Sequence, residues 1–234
     1  MTHHDDGRRV AGAAREMFLR RHGIHPDRRV LLFAGSTVTY WEDEPRLLRA
    51  LSAAIAEERL TNCVIWYRMH PRRPLREVPN VSRLPHVVVD DQAVRQKRHG
   101  VSGYALRREA LGHARDLLHA VDGVVTAFST MIVEAALLGK PSLVVGFGMD
   151  VARAGGLIQH AEYEHSLTLL ATPGIVLCGS LDELLREIPR VLAGDHAAHA
   201  AALRARAAAI AHNLDGGACA RIVHALEHIG RRAA

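Results

Sequence analysis

The sequence predicts an α/β fold built on one doubly wound parallel sheet with a helical C-terminal tail. Three observations carry that prediction. Short, β-rich apolar runs alternate along the chain with longer amphipathic stretches. The segment from Val124 to Phe147, VVTAFSTMIVEAALLGKPSLVVGF, reads as strand, polar turn, helix, Gly-Lys-Pro and strand. That is the pattern of a right-handed crossover between parallel strands. Finally, hydrophobic residues make up 48% of the chain but aromatics only 4%, and a core of Ala, Leu and Val suits helices packed on a parallel sheet better than a β-sandwich.

Each element follows from local pattern. Residues 9–22 have amphipathic helical spacing that stops near Gly23. Arg29 to Gly35 (RVLLFAG) is a continuous apolar run, the signature of a strand buried on both faces, and the turn Ser36 to Glu44 follows it. A helix over 45–59 leads to a second strand, Cys63 to Met69. His70 to Leu84 is a Pro- and Arg-rich loop, and His86 to Val89 is a third short strand. Residues 91–103 are polar. A helix over 105–120 leads into the crossover unit. Residues 148–173 form a Gly-containing loop with room for a short helix, and Ile175 to Cys178 is the last strand. The remainder has helical spacing, broken near Gly194 and again between Asn213 and Gly217. The organisation is thus a lead-in helix (1–27), an α/β domain (28–193) and C-terminal helices packing on it (194–234).

Composition limits the chemistry. The formal charge of +5 is carried almost wholly by arginine, because Lys97 and Lys140 are the only lysines. The arginines are dispersed, aromatics do not interleave them and no binding motif is present, which argues against nucleic acid. Phosphorylated small molecules or an anionic membrane surface account for the charge as well. The 16 histidines show no HExxH or Cys/His ligand spacing, so no metal or other cofactor is expected. Cys63, Cys178 and Cys219 are far apart and set in apolar surroundings, and read as reduced core residues. No apolar run approaches the roughly 18–20 residues that cross a bilayer, and the N-terminus has no signal-like apolar region. A cytoplasmic location is expected.

Candidate site residues gather at the carboxyl ends of the predicted strands, where open α/β sheets bind ligands. Ser129 and Thr130 stand between strand and helix in the crossover unit. They can cap free helix N–H groups, or share those groups with an anion such as a diphosphate. Glu134 lies one turn further, on the same side, among apolar neighbours. A buried carboxylate there needs donors, which a ribose diol or an arginine would supply. Arg68 and His70 alternate onto one side of the second strand and can donate to phosphate oxygens; the alternative is an exposed basic loop. Gly35 and Ser36 form a turn that permits close backbone approach, without the GxGxxG or P-loop pattern. Asp150, His160 and His165 are not tied into a triad by spacing, and Ser129 is not in a GxSxG elbow.

These residues resemble a family. RRVLLFAGS at 28–36, YRMHP at 67–71, HAVDGVVTAFSTMIVEAALLGKPSLVVGF at 119–147, GIVLCGSLDELLREI at 174–188 and LDGGACARIVHAL at 214–226 look like the C-terminal, donor-binding half of GT-B-fold glycosyltransferases, a Rossmann-like domain. The nearest likeness is to bacterial surface-polysaccharide and CDP-glycerol glycerophosphotransferase-like proteins, with non-hydrolysing UDP-GlcNAc 2-epimerases related in fold. The resemblance implies that Ser129 and Thr130 hold the donor diphosphate and Glu134 the ribose hydroxyls. His70 and Arg68 would face the diphosphate or the transferred group, and Gly35 and Ser36 would line the cleft. The glycerophosphotransferases usually carry an Asp-Tyr-Ser-Ser-like run where this chain has Ala127-Phe128-Ser129-Thr130, which points to a nucleotide-sugar donor instead.

In GT-B enzymes a preceding domain usually holds the acceptor, and here Met1 stands just before the helix that leads into the second domain. The resemblance therefore implies a fragment, or a subunit whose acceptor half is a separate polypeptide, with an anionic membrane as a further peripheral contact. Such a chain would be a transferase that is incomplete alone. Two other readings stay open: a sugar-nucleotide epimerase-like enzyme, and a non-catalytic nucleotide-binding module.

Overall fold

A computed structural model describes residues 12–74, 77–90, 108–149, 164–212 and 214–233. The expected polar segment at 91–103, Asp150 and His160 lie outside them. The helices are α1 (Gly12–Arg21), α2 (Glu44–Ala56), α3 (Val78–Val81), α4 (Arg108–Ala120), α5 (Met131–Leu137), α6 (Glu164–Leu170), α7 (Leu181–Ala193), α8 (Ala200–Ala211) and α9 (Ala218–Ala233). The strands are β1 (Arg29–Ala34), β2 (Cys63–Arg68), β3 (Val87–Asp90), β4 (Gly123–Thr126), β5 (Ser142–Val145) and β6 (Ile175–Cys178).

All strand pairs are parallel, in the order β3-β2-β1-β4-β5-β6. The order runs outward from the centre in both directions, so the chain reverses between β1 and β4. There the turns after the two strands diverge to opposite faces and leave a crevice at their carboxyl ends.

Alternation along the strands divides the core between the two faces. Leu31, Phe33, Ile65, Tyr67 and Val145 pack beneath α2 and α7, against Leu47, Leu51, Leu184 and Ile188. Val30, Leu32, Val64, Trp66 and Val124 face α1 and α4, against Phe18, Leu19, Leu117 and Leu118. On that same face α5 carries Ile132, Val133 and Ala136 against Leu203 and Ala207 of α8.

Local stops are sequence-encoded. Gly139 takes φ 70° after α5, and the Lys140 N–H returns to the Ala135 carbonyl at 2.9 Å, closing the helix in a left-handed cap. Ser180 caps α7 by accepting from the Glu183 N–H at 3.1 Å.

Several arginines serve the amino-terminal edge of the sheet. Arg15 on α1 donates to the carbonyls of Ala120 (2.9 Å) and Pro26 (2.9 Å) and pairs with Asp122 at 3.2 Å. Asp122 also accepts from Arg29 at 3.0 Å and from the Val30 N–H at 2.8 Å. Part of the positive charge is therefore architectural.

The tail divides in two. Whereas α8 packs on α5, α9 keeps Ile222, Val223, Leu226 and Ile229 more than half exposed, and Cys219 is exposed beside them. Cys219 is thus not the core residue expected; only Cys63 and Cys178 are buried, and burial pushes both thiols up to about 12. Since α9 adds little buried surface, a chain ending at His212 is expected to melt within about 2 °C of the full chain. Circular dichroism melts of the two chains check this. Among the described residues, no helix is long and apolar enough to cross a membrane.

Candidate functional site

The crevice is bounded by the turns after β1 and β4. Ala34 and Thr126 are register partners at its floor, and the Thr126 hydroxyl donates to the Ala34 carbonyl at 2.9 Å. One wall is therefore Gly35-Ser36-Thr37 and the other Ala127-Phe128-Ser129-Thr130. The expected residues Gly35, Ser36, Ser129 and Thr130 all fall at this edge. Arg68 ends β2 and His70 follows it, on the outer side of β1, with Arg68 in register with Ala34.

On the β4 wall the two hydroxyls behave differently. Ser129 Oγ accepts from the Met131 N–H at 3.3 Å, and the Ser129 carbonyl accepts from the Ile132 N–H at 3.1 Å. Thr130 occupies the N-cap position but makes no side-chain cap, and it is exposed. Capping alone thus accounts for Ser129 and leaves the Thr130 hydroxyl to solvent or a ligand. Glu134 stands in the first turn of α5, where a carboxylate also favours the helix N-terminus. It is half-buried and already engaged within the protein. A ligand diol would join those interactions rather than rescue an orphaned charge.

Beside β2 the arrangement is more structural than the alternation suggests. Arg68 pairs with Asp90 at 3.0 Å, with side chains 17% and 3% exposed, so its guanidinium is largely committed to β3. Asp90 also meets His113 Nε2 of α4 at 3.2 Å. His70 Nδ1 accepts from the Arg72 N–H at 3.1 Å, which puts the proton of the neutral ring on Nε2. Burial, then the charges of Arg72 and Arg73, hold its pKa below the usual imidazole value. His70 is therefore a neutral donor through Nε2 rather than a cation.

Sequence reasoning missed the cluster beneath the β1 turn. Glu44 and Arg73 are fully buried and pair at 3.3 Å. Glu44 Oε2 accepts from the Ser36 N–H at 2.6 Å, and the Tyr67 hydroxyl donates to Glu44 Oε1. Arg73 Nε donates to the Ser36 carbonyl at 3.0 Å, its Nη2 to the Trp41 carbonyl, and its Nη1 to Glu77 at 3.2 Å. Burial raises the Glu44 pKa, opposed by Arg73, the Ser36 N–H and Tyr67. Burial and the Glu44 carboxylate push Tyr67 far above the phenolic range, so Tyr67 acts as a neutral donor.

The glycine at 35 answers to the same cluster. A Cβ there would lie 2.8 Å from Glu44 Oε1, 3.0 Å from the Arg68 carbonyl and 3.1 Å from the Tyr67 ring. The expected close approach to Gly35 is thus made by the protein itself. No group of three potential metal-ligating side chains occurs among the described residues.

No protein-family model matches the chain, and no curated protein matches it. Solved structures do. The wall teichoic acid polymerase TagF, as a histidine-to-asparagine variant soaked with CDPG, superposes with a TM-score of 0.57 at 14% identity, over 100% of this chain and 49% of that one. TagF itself gives 0.51 at 13% identity, over 99% and 51%. A histidine-to-alanine variant gives 0.56 at 14%, over 99% and 51%. The chain spans about half the length of these structures. Its fold is that of one half of a GT-B-type structure, an α/β Rossmann-like domain with helical additions.

Proposed function

We propose that the chain binds a nucleoside-diphosphate-linked donor at the β1/β4 crevice and serves as the donor half of a transferase in surface-polymer synthesis. The observation that carries this reading is the reversal of strand order between β1 and β4, which brings the Ser36 and Ser129-Thr130 turns to one crevice. The exposed Thr130 hydroxyl and the first turn of α5 suit the diphosphate, Glu134 the ribose, and His70 Nε2–H a phosphate or the transferred group. Rate enhancement would be mainly electrostatic stabilisation of the departing nucleoside diphosphate. The acceptor, and the groups that act on it, would come from a second half equivalent to the rest of the TagF structures. Use of a nucleotide donor fits work in the cytoplasm, with the anionic inner face of the membrane as a peripheral contact. No metal or other cofactor enters this reading.

The run Ala127-Phe128-Ser129-Thr130 favours a sugar as the transferred group. The likeness to TagF, studied with CDPG, supports a glycerophosphate donor as the second reading. Calorimetric titration with UDP, CDP, GDP and dTDP separates them. One nucleotide is expected to bind, with Thr130→Val and Glu134→Ala each weakening it by about tenfold or more, roughly 1.4 kcal/mol. Exclusive binding of CDP would favour the glycerophosphate donor. Binding of none, with Glu134→Ala changing only the melting temperature, would make Glu134 a structural carboxylate and refute the donor site.

A further inference from the structure

We infer that Glu44, Tyr67 and Arg73 are positioning residues, a buried clamp that fixes the Gly35-Ser36-Thr37 turn as one wall of the donor crevice. The inference rests on the donor-site reading above. Both backbone polar groups of Ser36 are held by side chains from other elements. Its N–H goes to Glu44 at the start of α2, and its carbonyl to Arg73 beyond β2. Tyr67 of β2 and Glu77 complete the set of donors and acceptors. The Thr37 carbonyl and hydroxyl both accept from the Tyr40 N–H, at 3.1 Å and 3.2 Å. Both backbone groups of Ser36 are thus occupied, and Ser36 Oγ is what that residue has left to offer a ligand.

The energetics favour a positional role. Removing a carboxylate and a guanidinium from water costs several kcal/mol per ion, and apolar residues of similar size often pack there without that cost. An ionic pair on this site gains directionality instead. Its donors and acceptors define one geometry of the turn, as a fully satisfied buried network can. The cluster sits under the edge where β1 opens onto the crevice, and so the geometry it defines is that of the crevice wall.

Hydrogen exchange at the Ser36 amide tests the clamp, and titration of the same proteins with UDP, CDP, GDP and dTDP tests its consequence. Tyr67→Phe keeps the ring and removes one donor; Glu44→Gln removes the charge. Val191→Ala, a core truncation below the sheet, serves as the destabilised control. Expected in Tyr67→Phe is Ser36 exchange about tenfold faster relative to the Leu32 amide, with affinity for the bound nucleotide about tenfold lower. Glu44→Gln should do the same wherever it folds, while Val191→Ala keeps wild-type affinity. Faster exchange with unchanged affinity would overturn the positioning role and leave the donor site intact. Unchanged exchange in Tyr67→Phe would overturn the clamp. If the wild-type chain binds none of the nucleotides, the donor site fails and the positioning role falls with it.

Discussion

Arg73→Ala is expected to lower the unfolding free energy by about 3–5 kcal/mol, the scale of removing one partner from a buried ion pair. Arg73 and Glu44 are both inaccessible to solvent. Without the guanidinium, Glu44 retains the Tyr67 hydroxyl and the Ser36 N–H but loses its counter-charge. The Ser36 and Trp41 carbonyls lose their donors as well.

The loss should depend on pH, with a definite sign. Burial already raises the Glu44 pKa above 4.5, and Arg73 is the largest influence opposing that rise. In the variant the folded-state pKa climbs further and Glu44 takes up a proton more readily. Stability linked to a raised carboxylate is fully present below its unfolded pKa and is lost as pH rises through the folded one. The deficit of Arg73→Ala should therefore be larger at pH 8 than at pH 5. Urea midpoints for wild type and variant at the two pH values check both size and sign. Arg73→Lys should recover only part of the loss, because an ammonium cannot reach the Ser36 carbonyl, Trp41 carbonyl and both carboxylates as a planar fork does.

The same pair shows where sequence reading stops. Strands buried on both faces announce themselves as uninterrupted apolar runs, and RVLLFAG and CVIWYRM locate β1 and β2 to within a residue. The crossover unit is as plain, because a strand, a short helix ended by Gly139 and a second strand lie contiguous in sequence. Arg73, by contrast, sits in a Pro- and Arg-rich run whose composition reads as solvated. Glu44 opens a helix, where an acidic residue ordinarily faces water and the helix dipole. Their pairing is a tertiary event between the start of α2 and the loop after β2, and no local period encodes it. Arg68 was legible in position but not in partner, since Asp90 reaches it only when β3 pairs beside β2. Ser129 and Thr130 were legible as a doublet. Which of them caps the helix depends on backbone angles that neither residue type fixes. For Cys219, an apolar neighbourhood in sequence turned out to be the exposed face of α9.

Gly35→Ala is the second large effect, expected to cost about 1–3 kcal/mol, the scale of overpacking a filled core. Gly35 is not among the residues of positive φ, so its role is spatial rather than conformational. Of the three atoms its Cβ would crowd, the Arg68 carbonyl is backbone already accepting the Gly35 N–H at 2.9 Å, and Tyr67 is a buried ring. Neither can retreat without opening the β1–β2 pairing. The third and nearest, Glu44 Oε1 at 2.8 Å, is held by Tyr67. Glu44→Asp withdraws that oxygen by one methylene. The double variant Gly35→Ala/Glu44→Asp should then be less destabilised than the sum of the two single changes, by roughly 0.5 kcal/mol or more. Four denaturation curves at one pH complete this cycle. Strict additivity would show that the carboxylate is not what excludes a side chain at position 35. Wild-type stability in Gly35→Ala, combined with weaker nucleotide binding, would instead return the glycine to the role its sequence context suggested, that of letting a ligand approach the backbone.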